Sequence, residues 1–94
     1  MPYIKPEERN QIDPVVDQLV AAIRDLPFCD RSDHCGRLNY AISTLISDVM
    51  ALGLPSYKDI NAAMGVLECV KLELYRRLAA PYEDKKLAEN GDVF

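Results

Sequence analysis

The sequence has little of what most enzyme classes require. Its 94 residues include only four glycines, and it lacks the glycine-rich phosphate-binding motifs and the G-x-S-x-G nucleophile motif. No apolar run is long enough to cross a membrane. The chain is also too short for separate catalytic and cofactor-binding domains, so we expect a single domain over residues 1–94 that needs no cofactor.

Positive charge is also scarce, since 15 acidic residues outnumber 11 basic ones and give a net charge of −4. This balance argues against duplex nucleic acid as a general partner. The N-terminal residues lack the apolar core of a signal peptide, and three cysteines do not make a disulfide framework. We therefore expect a cytoplasmic protein, away from membranes, whose Cys29, Cys35 and Cys69 stay reduced.

Hydrophobic residues make up 49% of the chain and recur at helical spacing. The sequence predicts an all-α fold, a small antiparallel helical bundle of three main helices and a short C-terminal helix. Proline, glycine and capping residues set the expected boundaries. The predicted elements begin with one helical turn at Pro6 to Gln11, a first helix from Asp13-Pro14 until Pro27 and a polar loop from Phe28 to Gly36. A second helix is predicted from about Arg37 to Leu52, followed by Gly53 in the left-handed conformation. A third helix from about Tyr57 to Ala79, capped by Ser56 with Asp59, is followed by a break at Pro81 and by a fourth helix from Tyr82 to Asn90, closed by Gly91.

The predicted third helix carries two apolar faces. The broader face, expected to be the core side and here named the apolar stripe, comprises Ile60, Ala63, Met64, Val66, Leu67, Val70, Leu74 and Leu78. The narrower face lies on roughly the opposite side and is here named the small-residue face; it comprises Ala62, Gly65, Cys69 and Leu72. Small residues let helix axes approach closely, so this face is predicted to pack against another element.

Two occupants of the small-residue face stay open at this point. One is the N-terminal segment or the short C-terminal helix of the same chain. The other is a second copy of the chain, which would compensate for the small core that three helices of this length can form. We expect a homo-oligomer that associates through this face.

Basic and aromatic residues cluster around the end of the third helix. Arginine offers a planar fork to phosphate or carboxylate, and tyrosine offers a stacking face with a polar tip. The predicted anion-binding residues are Tyr75, Arg76, Arg77, Tyr82, Lys85 and Lys86, with Tyr3 and Lys5 as additions from a neighbouring subunit. The alternative is that these cations complement the helix dipole and pair with nearby carboxylates.

Two further groups of residues suggest metal chemistry only weakly. Cys29, His34 and Cys35 have the spacing of half a zinc site, without a second pair of ligands, so we expect a polar surface loop and no metal. Helical carboxylates such as Glu68 and Glu73 invite comparison with Mg²⁺-dependent nucleotide pyrophosphohydrolases, but these two lie five positions apart, on different sides of the helix. Metal-dependent phosphohydrolysis is therefore kept as a second alternative.

Several strings resemble a family of short uncharacterised proteins of tailed bacteriophages and some bacteria. They are Met1-Pro2-Tyr3-Ile4-Lys5-Pro6, Leu38-Asn39-Tyr40-Ala41-Ile42, Tyr57 through Ala63, Gly65 through Arg77, Pro81 through Lys86, and Asn90-Gly91-Asp92-Val93. The resemblance implies a phage-associated cytoplasmic context and assigns no catalytic residues. In its size, its helical content and an Arg-x-x-x-x-Pro helix end, from Arg76 to Pro81, the chain is also similar to small helical phage proteins that oligomerise and sequester cyclic nucleotide signals of bacterial immunity.

Together these features favour a binding protein over an enzyme. The leading hypothesis is an oligomeric accessory protein of phage type that sequesters a small anionic, nucleotide-like signal of host immunity. The alternative is a protein–protein interaction module that blocks or scaffolds a host or phage protein.

Overall fold

Helices make up about 79% of the residues described by the computed structural model, and that part of the chain contains no strand. The structure describes residues 2–27, 29–54 and 56–94. Its helices are α1 (Pro6–Asp25), α2 (Ser32–Val49), α3 (Tyr57–Leu74) and α4 (Ala80–Asn90). A π-helical turn (Tyr75–Ala79) joins α3 to α4 in one continuous helix of 34 residues. The predicted all-α fold class is confirmed.

Helix α1 begins at Pro6, so the predicted start at Asp13 is wrong. Proline suits the first helical turn because the N–H it lacks has no partner there. Glu7 and Glu8 follow in the same turn, where negative charge interacts favourably with the helix dipole. Pro14 lies inside the helix instead of opening it. The end before Pro27 agrees with the prediction.

Helix α2 begins at Ser32, so the predicted loop up to Gly36 is too long, and its first residue, Phe28, lies outside the described residues. The Asp30 carboxylate accepts hydrogen bonds from the Ser32 hydroxyl and from the Ser32 N–H at 2.7 Å. These two hydrogen bonds lower the pKa of Asp30. The polar residues that suggested a loop instead form the turn that starts the helix.

Helix α2 ends at Val49 in a Schellman motif. The Leu52 N–H donates to the Ser47 carbonyl at 2.9 Å, and the Ala51 N–H donates to the Asp48 carbonyl at 3.3 Å. The left-handed residue is Ala51, with φ of 52°, so the assignment of that conformation to Gly53 is wrong. An alanine in this conformation costs roughly 1–2 kcal/mol because its Cβ crowds the following carbonyl.

Helix α3 begins at Tyr57 as predicted, but the prediction that the helix breaks at Pro81 is wrong. Ser56 Oγ accepts the Asp59 N–H at 3.2 Å, which confirms the cap. Proline crowds the carbonyl four residues earlier, and that carbonyl belongs to Arg77, inside the π-helical turn. The Ala80 N–H reaches back five residues to the Tyr75 carbonyl, and this wider turn lets the helix pass the proline. Gly91 ends α4 as predicted.

Helices α1 and α2 form a helical hairpin that the Arg37 guanidinium closes. It donates to the Leu26 carbonyl at 3.2 Å and to the Pro27 carbonyl, near the end of α1. The predicted third helix, by contrast, does not pack along this hairpin within the described residues. The compact core expected of a bundle is therefore absent from the described part of a single chain, where only Ala63 is buried.

The open arrangement is measurable as surface area and radius. The chain exposes 8342 Å², whereas a compact monomer of 10.6 kDa exposes about 5,500 Å². Its radius of gyration is 17.0 Å, against about 12 Å for a compact domain of this length. A single copy therefore leaves much of its apolar surface uncovered.

Candidate functional site

An apolar groove of about 500 Å³ runs along α3. Gly65 and Cys69 of the small-residue face line it, together with Val66, Val70 and Leu74 of the apolar stripe. The two faces predicted to lie on opposite sides of the helix thus meet in one groove. Apart from Glu73, the residues that line this groove carry no charge.

The N-terminal arm, residues 2–5, lies at one end of this groove. Pro2 and Glu73 complete its lining. The Tyr3 hydroxyl donates a hydrogen bond to Glu73, and Arg76 Nη2 donates to Glu73 Oε1 at 2.7 Å and to the Tyr3 oxygen at 3.3 Å. The arm is therefore tied to α3 by a polar cluster of Tyr3, Glu73 and Arg76, here named the arm cluster.

The arm cluster changes the acidity of its carboxylate. The hydrogen bond from Tyr3 lowers the pKa of Glu73 most, and the hydrogen bond and charge of Arg76 and the charge of Arg77 lower it further, against desolvation that raises it. The sequence indicated Glu73 as a carboxylate near enough to pair with these cations, but the expectation that Tyr3 comes from a neighbouring subunit is wrong, since Tyr3 of the same chain contacts Glu73 and Arg76. The spacing of Glu73 and Arg76 signals a local ion pair, whereas no local pattern signals a contact across 70 residues.

Two segments of the same chain were expected as partners of the small-residue face, the C-terminal helix and the N-terminal segment, and the structure treats them differently. The C-terminal helix does not fold back onto α3, because α4 continues α3 without a break. Pro2 of the arm lies beside Gly65 and Cys69, at one edge. Cys69 is still exposed, and Leu72 keeps 56% of its surface exposed. Most of the small-residue face is therefore exposed in a single chain.

The predicted anion-binding residues do not converge on one pocket within the described residues. Tyr3 meets Arg76, and Lys86 Nζ lies 5.6 Å from the centre of the Tyr82 ring. Four of these eight side chains have carboxylate partners, and two of the four, Arg76 and Lys86, are cations paired as the alternative interpretation predicted. The partnerships are Arg76 with Glu73 at 2.7 Å, Lys86 with Glu89 at 3.3 Å and Tyr75 with Glu83 at 3.4 Å. Arg77, Lys85 and Lys5 are exposed and form no ion pair in the part of the chain that the structure describes.

The residues considered for metal chemistry are dispersed or already paired. No group of three or more histidine, cysteine or acidic side chains suited to a metal occurs among residues 2–27, 29–54 and 56–94. Cys29 and Cys35 are exposed, and His34 lines a groove between α1 and α2. Glu68 forms an ion pair with Lys71 at 3.0 Å. Within those same residues, no helix is both long and apolar enough to cross a membrane.

Comparison with known proteins gives one result that covers almost the whole chain. No curated protein and no solved structure matches it. The model of a family described as a domain of unknown function, DUF6899, matches residues 1–93. The match includes the N-terminal arm, the hairpin and the long helix, and the chain therefore belongs to the DUF6899 family.

Proposed function

We propose that this protein is a non-catalytic interaction module that works as a homo-oligomer and associates through the small-residue face of α3. The observation that carries the proposal is its surface of 8342 Å² with only Ala63 buried among the described residues. Water-exposed apolar area of this extent is unfavourable in a monomer and marks a surface that binds protein.

The size of the exposed area favours self-association over a small partner site. The surplus over a compact monomer of this mass is about 2,900 Å², given the 8342 Å² observed. A standard interface removes about 800 Å² from each partner, and obligate homodimers remove more. The surplus therefore corresponds to a permanent interface, made before any further partner is bound.

Light scattering and sedimentation at micromolar concentration test this proposal. We expect an oligomer from the unaltered chain, and a monomer would refute self-association. Ala62→Glu places a carboxylate on the small-residue face and is expected to shift the protein towards monomer. Ala88→Glu makes the same change on exposed α4 and serves as the matched control. Equal behaviour of the two variants would exclude the small-residue face as the interface.

A second candidate function is capture of a small anionic, nucleotide-like ligand, as the anti-defence hypothesis predicts. The exposed, unpaired cations Arg77 and Lys85 favour it, because their charge is available to phosphate. Calorimetry with cyclic di- and trinucleotides is the test. Binding that Arg77→Ala weakens and Arg24→Ala leaves unchanged would support it, and absence of heat with every nucleotide would refute it.

The biological setting is a proposal from family resemblance. We place the protein in the cytoplasm of a bacterial host, as an accessory protein of phage type that acts on a host or phage protein. The genes that flank its coding sequence test this placement. Neighbours of phage structural or replication type are expected, and consistent location among housekeeping genes would contradict it.

A further inference from the structure

The helical hairpin has an apolar groove of its own, which no other helix in the described part of the chain fills. This groove has a volume of about 580 Å³ and lies between α1 and α2. Its apolar lining includes Leu19, Ile23, Leu26, Tyr40 and Leu45. Tyr40 is 75% exposed and Leu45 56% exposed, so the groove faces solvent in a single chain.

The apolar stripe, which runs along α3 and reaches Leu78 in the π-helical turn, is also largely exposed. Met64 is 62% exposed, Val70 51% and Leu78 65%, and within the described residues no other helix packs along them. A helix stripe and a hairpin groove are the two halves of a three-helix core. Both halves are present in this chain, but over the residues that the structure describes they do not pack against each other.

The connection between these halves holds a strained backbone. Ala51, just after α2, adopts φ of 52°, and the Schellman hydrogen bonds fix it there. Short connections under strain favour the exchange of the following element between two copies of a chain. The strained alanine thus lies where such an exchange would pivot.

Charge argues for a pairing of unlike elements. Helices α1 and α2 together carry a net charge of −4, whereas the continuous helix from Tyr57 to Asn90 carries six basic and six acidic residues. Two hairpins that met directly would bring like charges together, whereas a hairpin on the neutral helix does not.

We propose that two copies form an intertwined dimer in which the apolar stripe of each α3 fills the hairpin groove of the other copy. The inference rests on the proposed self-association and adds which surfaces meet. The small-residue faces of the two α3 helices then pack close to the dimer axis. The predicted three-helix core forms twice, each time between chains.

A photo-crosslinking experiment at the hairpin groove tests this arrangement. The full-length chain carries p-benzoylphenylalanine in place of Tyr40, which is exposed enough to tolerate the change. Copies labelled with ¹⁴N and ¹⁵N are mixed, refolded together and irradiated. We expect cross-links from position 40 to peptides of α3, with mixed-isotope pairs at the frequency of random pairing. The same probe in place of Tyr82, on α4, is the control and is not expected to reach the hairpin.

The outcomes separate this inference from the function on which it rests. Mixed-isotope cross-links between position 40 and α3 support the intertwined dimer. An oligomer with only same-isotope cross-links, or none to α3, overturns it and leaves self-association intact. A monomer in light scattering overturns both.

Discussion

The hairpin and the long helix are stabilised in different ways. Arg37 ties α2 to the carbonyls at the end of α1, so the hairpin is closed by hydrogen bonds between its own two helices. The long helix has pairs within itself, such as Lys71 with Glu68 and Lys86 with Glu89. Among the described residues, its side-chain hydrogen bonds to the N-terminal part of the chain are those of the arm cluster. Exposed ion pairs three residues apart contribute only a few tenths of a kcal/mol each.

Under the proposed self-association, this difference separates what a single chain stabilises from what requires a partner. A hairpin closed by its own hydrogen bonds can form before association. A helix of 34 residues with two exposed apolar faces gains its stability from packing, and among the described residues that packing is missing in one copy. In the proposed oligomer, substitutions on the apolar stripe of the long helix should therefore act on assembly, and removal of the hydrogen bonds that close the hairpin should act on the fold of each chain.

The largest effect is expected from a charge on the apolar stripe. Val70→Asp would place a carboxylate in the proposed interface, and we expect the dissociation constant of the oligomer to rise by at least about 100-fold. Sedimentation equilibrium measures this constant. Val93→Asp makes the same substitution on the exposed C-terminal tail, where Val93 is 86% exposed, and should leave it unchanged. Equal constants for the two variants would contradict the assignment of the stripe to an interface.

A smaller effect is expected from removal of the hairpin closure. Arg37→Ala leaves the Leu26 and Pro27 carbonyls without their charged donor and should lower the free energy of unfolding by about 1–2 kcal/mol. Urea unfolding at one fixed protein concentration measures the loss. Arg31→Ala removes a neighbouring exposed arginine and should cost much less. If both variants unfold alike, the closure contributes no specific stability.

Replacement of the strained Ala51 is expected to stabilise the hairpin. Ala51→Gly removes the Cβ that crowds a left-handed residue and should raise the free energy of unfolding by about 1 kcal/mol. Ala88→Gly, inside α4, should lower it by a similar amount, because glycine there costs helix propensity. Opposite signs in the same unfolding assay are the expected result. A loss in both variants would show that Ala51 is not strained.

The sequence predicted local structure better than it predicted long-range contacts. The cap at Ser56 and the closure at Gly91 depend on neighbouring residues, and both are confirmed. The predicted break at Pro81 failed because a π-helical turn, which no residue pattern announces, lets the helix continue. The link between Tyr3 and Glu73 spans 70 residues, so it depends on the fold rather than on any spacing. The two apolar faces of α3 were readable from periodicity, but periodicity does not say which element covers them.

The smallest effect, and the one most specific to the long helix, concerns the arm cluster. The pKa of Glu73 is lowered in the folded chain, chiefly by the hydrogen bond from Tyr3. Because the pKa of Glu73 is lowered in the folded chain, docking of the arm is fully stabilised at pH values above the ordinary pKa range of glutamate. This stabilisation is lost as the pH falls through the pKa that Glu73 has in the folded chain. The NMR resonances of the Tyr3 ring should report this release at a midpoint below that range.

Two variants decide whether Glu73 is the titrating group. Glu73→Gln removes the charge and should abolish the pH-dependent change of the Tyr3 resonances. Glu68→Gln, which alters the carboxylate paired with Lys71 on the same helix, should keep it. A transition that survives in Glu73→Gln would mean that another carboxylate controls the arm. Because the arm borders the groove at Gly65 and Cys69, its release should widen that groove without breaking the oligomer.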